Sequence, residues 1–306
     1  MYPTLYMPVP ATIERIEDET PDIKTFTIRP VEPIPFAAGQ FVELAVPGIG
    51  EAPFTPSSSP KISENMEITI MRTGRVTDWL HSMKEGDAVG VRGPMGRAYP
   101  IEDFHGREIL IVGGGCGVGP LRSLLLALID DLEKYSRIIV RYGAKTPDSI
   151  VFRDAQMHGW NQNGALDVML TVDEGGAGWD GHVGMITEIL TEDYLDCHAD
   201  NGIAVMCGPP IMMKFVSLLT KELGIPTVVS LNPIMIDGTG MCGGCRVTVN
   251  GETKFACVDG PEFDGHGVDF DELTLRLGSY IEHESHAMEH YSRCECNCSD
   301  GGGQGC

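Results

Sequence analysis

The sequence predicts an antiparallel β-barrel, a parallel α/β domain and a small cysteine-rich module, in that order along the chain. Up to about residue 102, apolar and polar residues alternate in short stretches between Gly and Pro turns, which indicates antiparallel strands. From about residue 103, continuous apolar runs alternate with helical stretches, which indicates a parallel sheet covered by helices. Closely spaced cysteines among many glycines follow these two parts.

Residues 1–102 are expected to form the barrel. Residues 40–46 and 66–71 alternate at period two, and turns fall at Pro47-Gly48 and Gly93-Pro94. Because successive side chains of a strand point to opposite faces, each of these strands is expected to have one buried face.

Residues 103–230 are expected to form the α/β domain, with a helical stretch over residues 121–134. The run at residues 109–112 is apolar throughout, which is typical of a strand buried on both faces. Four strands are expected, at residues 109–112, 137–142, 166–172 and 203–206.

Residues 231–278 form a module that is too small to be stable on a hydrophobic core alone, so a bound metal is expected to stabilise it. Residues 279–306 form a tail that ends in a mostly glycine stretch without core-forming residues. The tail holds the residues His283, His286, His290, Cys294, Cys296, Cys298 and Cys306.

Charge and composition exclude two classes of partner. The 306 residues include 22 Lys and Arg against 44 Asp and Glu, a net charge of −22, which disfavours both nucleic acid and anionic lipid. No apolar run reaches the roughly 18 residues needed to span a membrane, and the N-terminus lacks a signal-peptide pattern. We therefore expect a cytoplasmic protein, whose ten cysteines are metal ligands or redox groups rather than disulfides.

A glycine-rich turn over residues 113–120 follows a predicted strand and opens a predicted helix. Free backbone N–H groups and the helix dipole favour a bound phosphate at such a turn. The pattern is Gly-x-Gly-x-x-Pro rather than Gly-x-Gly-x-x-Gly, with Pro in the first turn, where its missing N–H has no effect. A glycine-rich turn without a ligand is the alternative. The expected dinucleotide contacts are Gly113, Gly114, Gly115, Gly117, Gly119 and Pro120.

A second marker, Cys207-Gly208-Pro209-Pro210, follows the apolar run 203–206. The carboxyl edge of a parallel sheet, where this turn falls, is where α/β proteins bind ligands. Together the two turns resemble the ferredoxin–NADP reductase superfamily, over about residues 8–230. The resemblance implies an FAD-binding barrel followed by a nicotinamide-binding domain, with Cys207, Gly208 and Pro209 close to the nicotinamide.

The resemblance also implies a flavin site at Ala52-Pro53-Phe54-Thr55, which corresponds to the superfamily's Arg-x-Tyr-Ser/Thr motif. Thr55 keeps the hydroxyl and Phe54 the aromatic ring, but Ala52 replaces the arginine. Backbone N–H groups at a helix start near Gly74, with Arg72 or Arg75, are expected to compensate. The expected flavin contacts are Phe54, Thr55, Pro56, Ser57, Gly74, Val76 and Thr77, and the expected catalytic residues are Thr55 and Cys207.

The second strand of the α/β domain favours NAD(H) over NADP. A 2′-phosphate requires arginine near the end of that strand. Arg141 lies inside the strand, and Lys145 is a single flexible charge beyond it. We therefore expect NAD(H).

A motif over residues 237–257 predicts an iron–sulfur site. Plant-type [2Fe–2S] sites use Cys-x4-Cys-x2-Cys and a distant fourth Cys. Cys242, Cys245 and Cys257 occupy three of these places, and Asp237 stands in the first. The intervening glycines allow tight turns and N–H groups directed at sulfur. We expect all four as ligands; the alternatives are Asp237 as a turn residue only, or zinc on the three cysteines.

Residues 232–245 and 255–261 resemble the small subunits of NADH-dependent ferredoxin–NADP oxidoreductases, also called sulfide dehydrogenases. That resemblance implies a [2Fe–2S] cluster with one Asp and three Cys ligands beside FAD. Residues 50–54 are more similar to the gamma subunits of sulfhydrogenases.

The expected function is that of an enzyme subunit that contains FAD and a [2Fe–2S] cluster and moves electrons between NAD(H) and a larger oxidoreductase subunit. The complex is expected to be an electron-bifurcating oxidoreductase or a complex related to one. The first alternative is the electron-transfer subunit of a hydrogenase, sulfite reductase or dihydroorotate dehydrogenase complex; the last two are expected to have cysteine in place of Asp237. The second is a non-catalytic iron–sulfur relay or scaffold, which the replacement of arginine by Ala52 favours.

The tail contains more candidate ligands than this function needs. Its three histidines are spaced by three and four residues and share one face if the segment is helical. The single-residue spacing of Cys294, Cys296 and Cys298, with Cys306 beyond them, is too short for the usual zinc pattern. Two readings stay open: a second metal or iron–sulfur site, or a terminus without one.

Overall fold

The computed structural model describes residues 5–62, 64–160, 166–190 and 201–289. The first part of the chain contains six strands and one helix: β1 (Val9–Thr20), β2 (Ile23–Pro30), β3 (Phe41–Val46), β4 (Gly50–Phe54), β5 (Met66–Met71), α1 (Arg75–Ser82) and β6 (Ala88–Met95). The strands form one antiparallel sheet in the order β4-β3-β6-β1-β2-β5. A bridge between Pro56 and Ile68 joins the chain after β4 to β5, so the two edges of the sheet meet and close the predicted barrel.

Strand β3 is buried on both faces at its start. Val42 and Leu44 point into the barrel core, as the alternation predicts. Phe41 and Glu43, on the outer face, are buried as well, because the C-terminal part of the chain covers them.

The rest of the described chain contains the elements β7 (Glu108–Gly114), α2 (Val118–Ile129), β8 (Arg137–Ala144), β9 (Leu166–Val172), β10 (His182–Val183), β11 (Gly202–Cys207), α3 (Pro210–Glu222), β12 (Thr227–Ser230), β13 (Arg246–Val249), β14 (Glu252–Phe255), α4 (Ala256–Asp259), β15 (Glu262–Asp264) and α5 (Phe270–Leu277). Short 3-10 helices lie at Ile101–Phe104, Gly115–Gly117, Leu132–Lys134, Pro147–Ser149, Ile186–Leu190 and Gly278–Tyr280, and a π-helical turn at Ala155–Gly159.

The second sheet has seven strands in the order β10-β9-β8-β7-β11-β12-β15. All its neighbouring pairs are parallel except β12 and β15. The four strands expected in this part are confirmed, as β7, β8, β9 and β11. Parallel strands place their carboxyl ends at one edge of the sheet, so the turns after β7 and β11 lie side by side.

The C-terminal module shares the core of the α/β domain. Its strand β15 is added to the edge of the large sheet by pairing with β12, while β13 and β14 form a separate hairpin. Val247 and Phe270 of the module pack in one apolar cluster with Leu110 and Val229. The module is therefore held by shared apolar packing as well as by any bound metal.

No helix in the described parts of the chain is long and apolar enough to cross a membrane.

Candidate functional site

The predicted flavin strand is β4, which ends at Phe54 and leads into Thr55. Phe54 pairs with Val42 of β3 and packs partly against the barrel core, and Thr55 is half-buried. Helix α1 begins beside this strand, because a Cβ on Gly50 would lie 3.3 Å from a Val76 methyl. This contact lies at the first residue of β4, and Phe54 and Val76 both pack against the core of the barrel.

The start of α1 is held by Thr77. Its hydroxyl accepts hydrogen bonds from the backbone N–H groups of Thr73 and Gly74, each at 2.9 Å. The side of Gly74 that a Cβ would occupy is open, with no atom within 4 Å. This helix start has the open backbone that a phosphate group requires. Arg72, expected as a compensating charge, forms an ion pair with Asp78.

Ser57 lies inside the protein rather than at an open surface. It is fully buried, and its hydroxyl lies 2.9 Å from that of Thr69 on β5. Its carbonyl accepts a hydrogen bond from Arg122 of α2 at 3.0 Å. The role of Ser57 as a flavin contact stays a prediction.

The glycine turn after β7 is packed against the turn after β11. A Cβ on Gly117 would lie 2.5 Å from the carbonyl oxygen of Cys207, and one on Gly114 would lie 2.4 Å from the sulfur of Met212. Gly117 is therefore required by close packing against backbone, whereas a side chain at Gly114 would displace the flexible end of Met212. Gly115 is different: its φ is +52° and no atom lies within 4 Å of its Cβ position, so its backbone is open to a ligand.

A cavity of about 700 Å³ opens at the carboxyl edge of the large sheet. Gly114 and Gly115 line it together with Cys116 and Pro209, and Ile23 and Met71 of the barrel form part of its wall. The remaining wall is mostly apolar and includes Met185, Ile186, Ile211, Met212 and Phe215. Its size falls within the range of small-molecule sites, and the predicted dinucleotide turn forms one side of it.

Cys207 is buried at this edge as a neutral thiol. Burial raises its pKa to about 12, with smaller contributions from the nearby Cys116 and Glu262. Glu262 receives a hydrogen bond from Ser230 at 3.2 Å, and burial raises the pKa of its carboxyl well above the ordinary value. The thiol therefore acts as a small uncharged group and is not an anionic nucleophile.

Two of the three predicted cysteine ligands, Cys245 and Cys257, come together in the C-terminal module, and Cys242 lies on the loop that leads to Cys245. The Sγ atoms of Cys245 and Cys257 lie 3.2 Å apart, and both side chains are buried. The N–H of Gly244 donates to the sulfur of Cys242 at 3.4 Å, and the N–H of Cys257 donates to that of Cys245 at 3.4 Å. Thiols with backbone N–H donors aimed at sulfur are the donor set that an iron–sulfur cluster uses.

Asp237 lies at the start of the same loop. Its carboxylate accepts hydrogen bonds from the N–H of Thr239, at 3.1 Å, and from the Thr239 hydroxyl. These bonds, the hydroxyl first, lower the pKa of Asp237. Among the described residues, no group of three or more His, Cys, Asp and Glu side chains surrounds a single point that would hold one metal ion. Asp237 as a ligand stays a prediction.

Three family models match the chain. They are the oxidoreductase FAD-binding domain over residues 10–99, the oxidoreductase NAD-binding domain over residues 111–218, and the iron–sulfur cluster binding domain of dihydroorotate dehydrogenase B over residues 232–269.

Named relatives cover most of the chain. The dihydroorotate dehydrogenase B (NAD(+)) electron transfer subunit homologue of Thermotoga maritima is 40% identical over 255 residues, which are 83% of this chain and 85% of the relative. The chain belongs to this family of electron-transfer subunits. Sulfhydrogenase 2 subunit gamma of Pyrococcus furiosus is 33% identical over 277 residues, covering 84% of this chain and 95% of that one.

One solved structure has the same fold as this chain over nearly its whole length. A chain from the structure of NADH-dependent reduced ferredoxin–NADP oxidoreductase, reported for flavin-based electron bifurcation, matches with 33% identity and a TM-score of 0.77. The match covers 95% of this chain and 99% of that one. The expectation of an NAD(P)H-dependent flavoprotein oxidoreductase subunit with FAD-, NAD- and iron–sulfur-binding domains is confirmed. The boundaries at residues 102, 230 and 278 stay predictions.

Membership in the family does not distinguish a subunit of a ferredoxin–NADP oxidoreductase from a subunit of a hydrogenase, sulfite reductase or dihydroorotate dehydrogenase complex. The matches include electron-transfer subunits of dihydroorotate dehydrogenase B and of sulfhydrogenase as well as the ferredoxin–NADP oxidoreductase.

The tail lies largely outside the described residues. His283 and His286 are exposed on a helical segment over residues 281–289. His290, Cys294, Cys296, Cys298 and Cys306 fall outside the described ranges. A second metal site there stays a prediction.

Sequence reasoning missed two buried charged residues beside the cysteine loop. Arg92 of β6 and Glu43 of β3 belong to barrel strands, and both are buried where the module covers the barrel. Burial first, and the neighbouring Glu51 second, raise the pKa of Glu43 to about 8. The signal in the sequence was one charged residue within each of the two apolar strands. That pattern is also typical of a strand with one exposed face, so it did not identify these residues as buried.

Proposed function

We propose that this protein is the electron-transfer subunit of a multi-subunit oxidoreductase and moves electrons between NAD(H) and a larger partner subunit. When bound, FAD would supply the exchange of hydride with the nicotinamide and of single electrons with an iron–sulfur cluster. The observation that supports this most is one apolar contact, in which Cys245 and Cys257 pack against Phe41 and Met95 of the FAD-binding barrel. The expected cluster ligands thus lie directly against the expected flavin domain.

The nucleotide is proposed to bind in the cavity at the sheet edge. Gly115 offers open backbone there, and Lys145 is a cation on the wall. Arg141, a possible partner for a 2′-phosphate, is 2% exposed and forms an ion pair with Asp167. Because this arginine is already paired inside the sheet, NAD(H) is favoured over NADP.

The flavin is proposed to bind along Phe54, Thr55 and Pro56, with its phosphates at the start of α1. Thr77 holds that helix start, and Gly74 leaves its side open. Cys207 is proposed as the uncharged thiol on the nicotinamide side. Thr55 supplies a hydroxyl as hydrogen-bond partner on the flavin side.

The cluster is proposed to be [2Fe–2S], with Asp237 and Cys242 as one ligand pair and Cys245 and Cys257 as the other. Two thiolates on one tetrahedral metal lie about 3.8 Å apart when each bond is about 2.3 Å. The 3.2 Å between Cys245 and Cys257 is close to this spacing. Thiol ligands require a reducing compartment, which favours a cytoplasmic location.

The partner subunit is proposed to dock over the cysteine loop. Cys242 is exposed, and so are the apolar side chains of Ile236, Met241 and Val258 around it. Apolar groups of this size, exposed together, are typical of a protein interface.

Cofactor analysis of anaerobically purified protein tests the proposal. We expect one FAD and about two irons per chain, and bleaching of both chromophores by NADH. About six irons per chain would indicate a further four-iron cluster, bound by the tail, in addition to the proposed [2Fe–2S] cluster. Iron without flavin would overturn it in favour of a relay, and zinc without iron would overturn any electron-transfer function.

A pair of cysteine variants locates the cluster. Cys245→Ser is expected to lose iron and keep FAD. Cys116→Ser removes a half-buried thiol elsewhere in the structure and is expected to keep both. Equal iron in the two variants would contradict the proposed ligand set.

A further inference from the structure

Arg92 joins the flavin barrel to the cysteine loop. Its Nε and Nη2 donate to the carboxylate of Glu51 on β4, at 2.9 and 2.6 Å. Nη2 also donates to the backbone carbonyl of Asp237 at 3.0 Å, and Nη1 to that of Leu5 at 2.6 Å. One guanidinium therefore binds the strand that leads to the flavin motif, the N-terminal segment and the first residue of the cysteine motif.

The position of Arg92 makes its charge effective. The residue is 5% exposed, so solvent screens it weakly, and charges interact more strongly across a low-dielectric interior than in water. Its only ion-pair partner among the described residues is Glu51, whose side chain is 31% exposed.

The carboxyl of Glu43 lies beside this pair. It is buried, and neither of its oxygens has a hydrogen-bond partner among the described residues. A Cβ on Gly238, the residue after Asp237, would lie 3.2 Å from one of these oxygens. Carboxyl groups thus surround the Asp237 peptide, and Arg92 is the cation that reaches it.

We propose that Arg92 is a positioning residue that holds the Asp237 end of the cysteine loop and raises the reduction potential of the cluster bound there. The inference rests on the proposed function. Reduction adds one negative charge to a cluster, and cluster potentials depend on net charge and hydrogen bonding around the site. A buried positive charge at the peptide of a ligand residue stabilises the reduced form relative to the oxidised one.

The test is a redox titration followed by electron paramagnetic resonance of the reduced cluster, on the full chain purified with its cofactors. Arg92→Gln removes the charge and is expected to reduce the ratio of reduced to oxidised cluster at fixed potential by about tenfold, which is about 59 mV for one electron. Arg92→Lys keeps the charge and is expected to restore most of the wild-type ratio. Glu51→Gln removes the paired negative charge and is expected to shift the ratio in the opposite direction.

A matched control separates charge from general damage. Arg141→Gln removes a similarly buried, ion-paired arginine from β8, which β7, β11 and β12 separate from strand β15 of the module, and is expected to leave the potential unchanged. If Arg92→Gln does not retain iron, Arg92→Lys and Glu51→Gln decide the question. A wild-type ratio of reduced to oxidised cluster in Arg92→Lys, together with a raised ratio in Glu51→Gln, supports the proposed role of Arg92.

The outcomes distinguish this inference from the proposed function. Wild-type protein without an iron–sulfur signal overturns both. Intact clusters with the same potential in wild type, Arg92→Gln and Glu51→Gln overturn only the role of Arg92. Shifts in the same direction for Arg92→Gln and Glu51→Gln also overturn it, since they would reflect disturbed structure rather than charge.

Discussion

The carboxyl group of Glu262 lies where all three parts of the chain meet. Ser230 of the α/β domain donates to it, and a Cβ on Gly39 of the barrel would lie 2.8 Å from its oxygen. Its second oxygen is buried without a partner among the described residues. Burial of a half-satisfied carboxyl favours its neutral form, so its proton affinity is coupled to folding.

Glu262 gives the protein a defined pH dependence. Its folded-state pKa is raised by burial, so its contribution to stability is present in full below the pKa of an unfolded glutamate and is lost as pH rises toward the folded value. The loss is at most about 1.4 kcal/mol per pH unit. Glu262→Gln is expected to match wild type near pH 4 and to unfold at a higher temperature than wild type at pH 8.

Thermal unfolding of the cofactor-loaded protein at several pH values measures this difference. Glu252→Gln is the control, because that carboxylate is 71% exposed and forms a surface ion pair with Lys254. Parallel curves for wild type and Glu262→Gln would show that the carboxyl ionises freely in the folded protein.

The surroundings of Glu262 also show why parts of the site were not predictable. The spacing of Cys242, Cys245 and Cys257 is a local pattern, so the sequence alone identifies them as candidate ligands. Glu262 and Arg92 are buried by contacts with residues far away in the chain, namely Ser230 and Asp237. Such burial depends on how segments far apart in the sequence pack against each other, and no local sequence pattern predicts that packing.

At the level of elements, the sequence predicted the positions of the strands better than it predicted which strands pair with each other. Strand β9 has the predicted bounds, residues 166–172, because five of its seven residues are apolar and three are β-branched, a type enriched in strands. The pairing of β15 with β12 was not predicted, since three residues carry too little pattern to choose an edge. That pairing, together with Phe270 of α5, joins the module to the α/β core.

Truncation of Phe270 tests whether the module and the α/β domain unfold together. Phe270→Ala removes a side chain that is 6% exposed and is expected to lower the free energy of unfolding by about 3–5 kcal/mol. Because the core is shared, loss of cluster absorbance and of helical circular dichroism should move together to lower temperature.

The same helix provides the control for that experiment. Leu275→Ala changes a side chain on α5 that is 76% exposed and is expected to alter stability by less than about 0.5 kcal/mol. Bleaching of the cluster well below an unchanged main transition in Phe270→Ala would mean that the module unfolds by itself.

At the scale of the whole molecule, Arg122 of α2 links the α/β domain to the flavin barrel. It donates to the carbonyl of Ser57, forms an ion pair with Glu67 and lies over the ring of Phe152, 4.7 Å from the ring centre. A second link, between Lys61 and Asp130, joins the same two parts, but both side chains are exposed. Exposed pairs contribute little, so Arg122 is expected to set the relative position of the two domains.

Arg122→Ala is expected to slow flavin reduction by NADH by about tenfold or more while FAD content stays unchanged, because hydride transfer depends steeply on the alignment of donor and acceptor. Stopped-flow absorbance under anaerobic conditions measures this rate. Lys61→Ala removes the exposed link between the same domains and is expected to reduce the flavin at the wild-type rate. Equal rates in both variants would mean that the alignment does not depend on Arg122, whereas a loss specific to Arg122→Ala assigns the alignment to the half-buried contacts of Arg122.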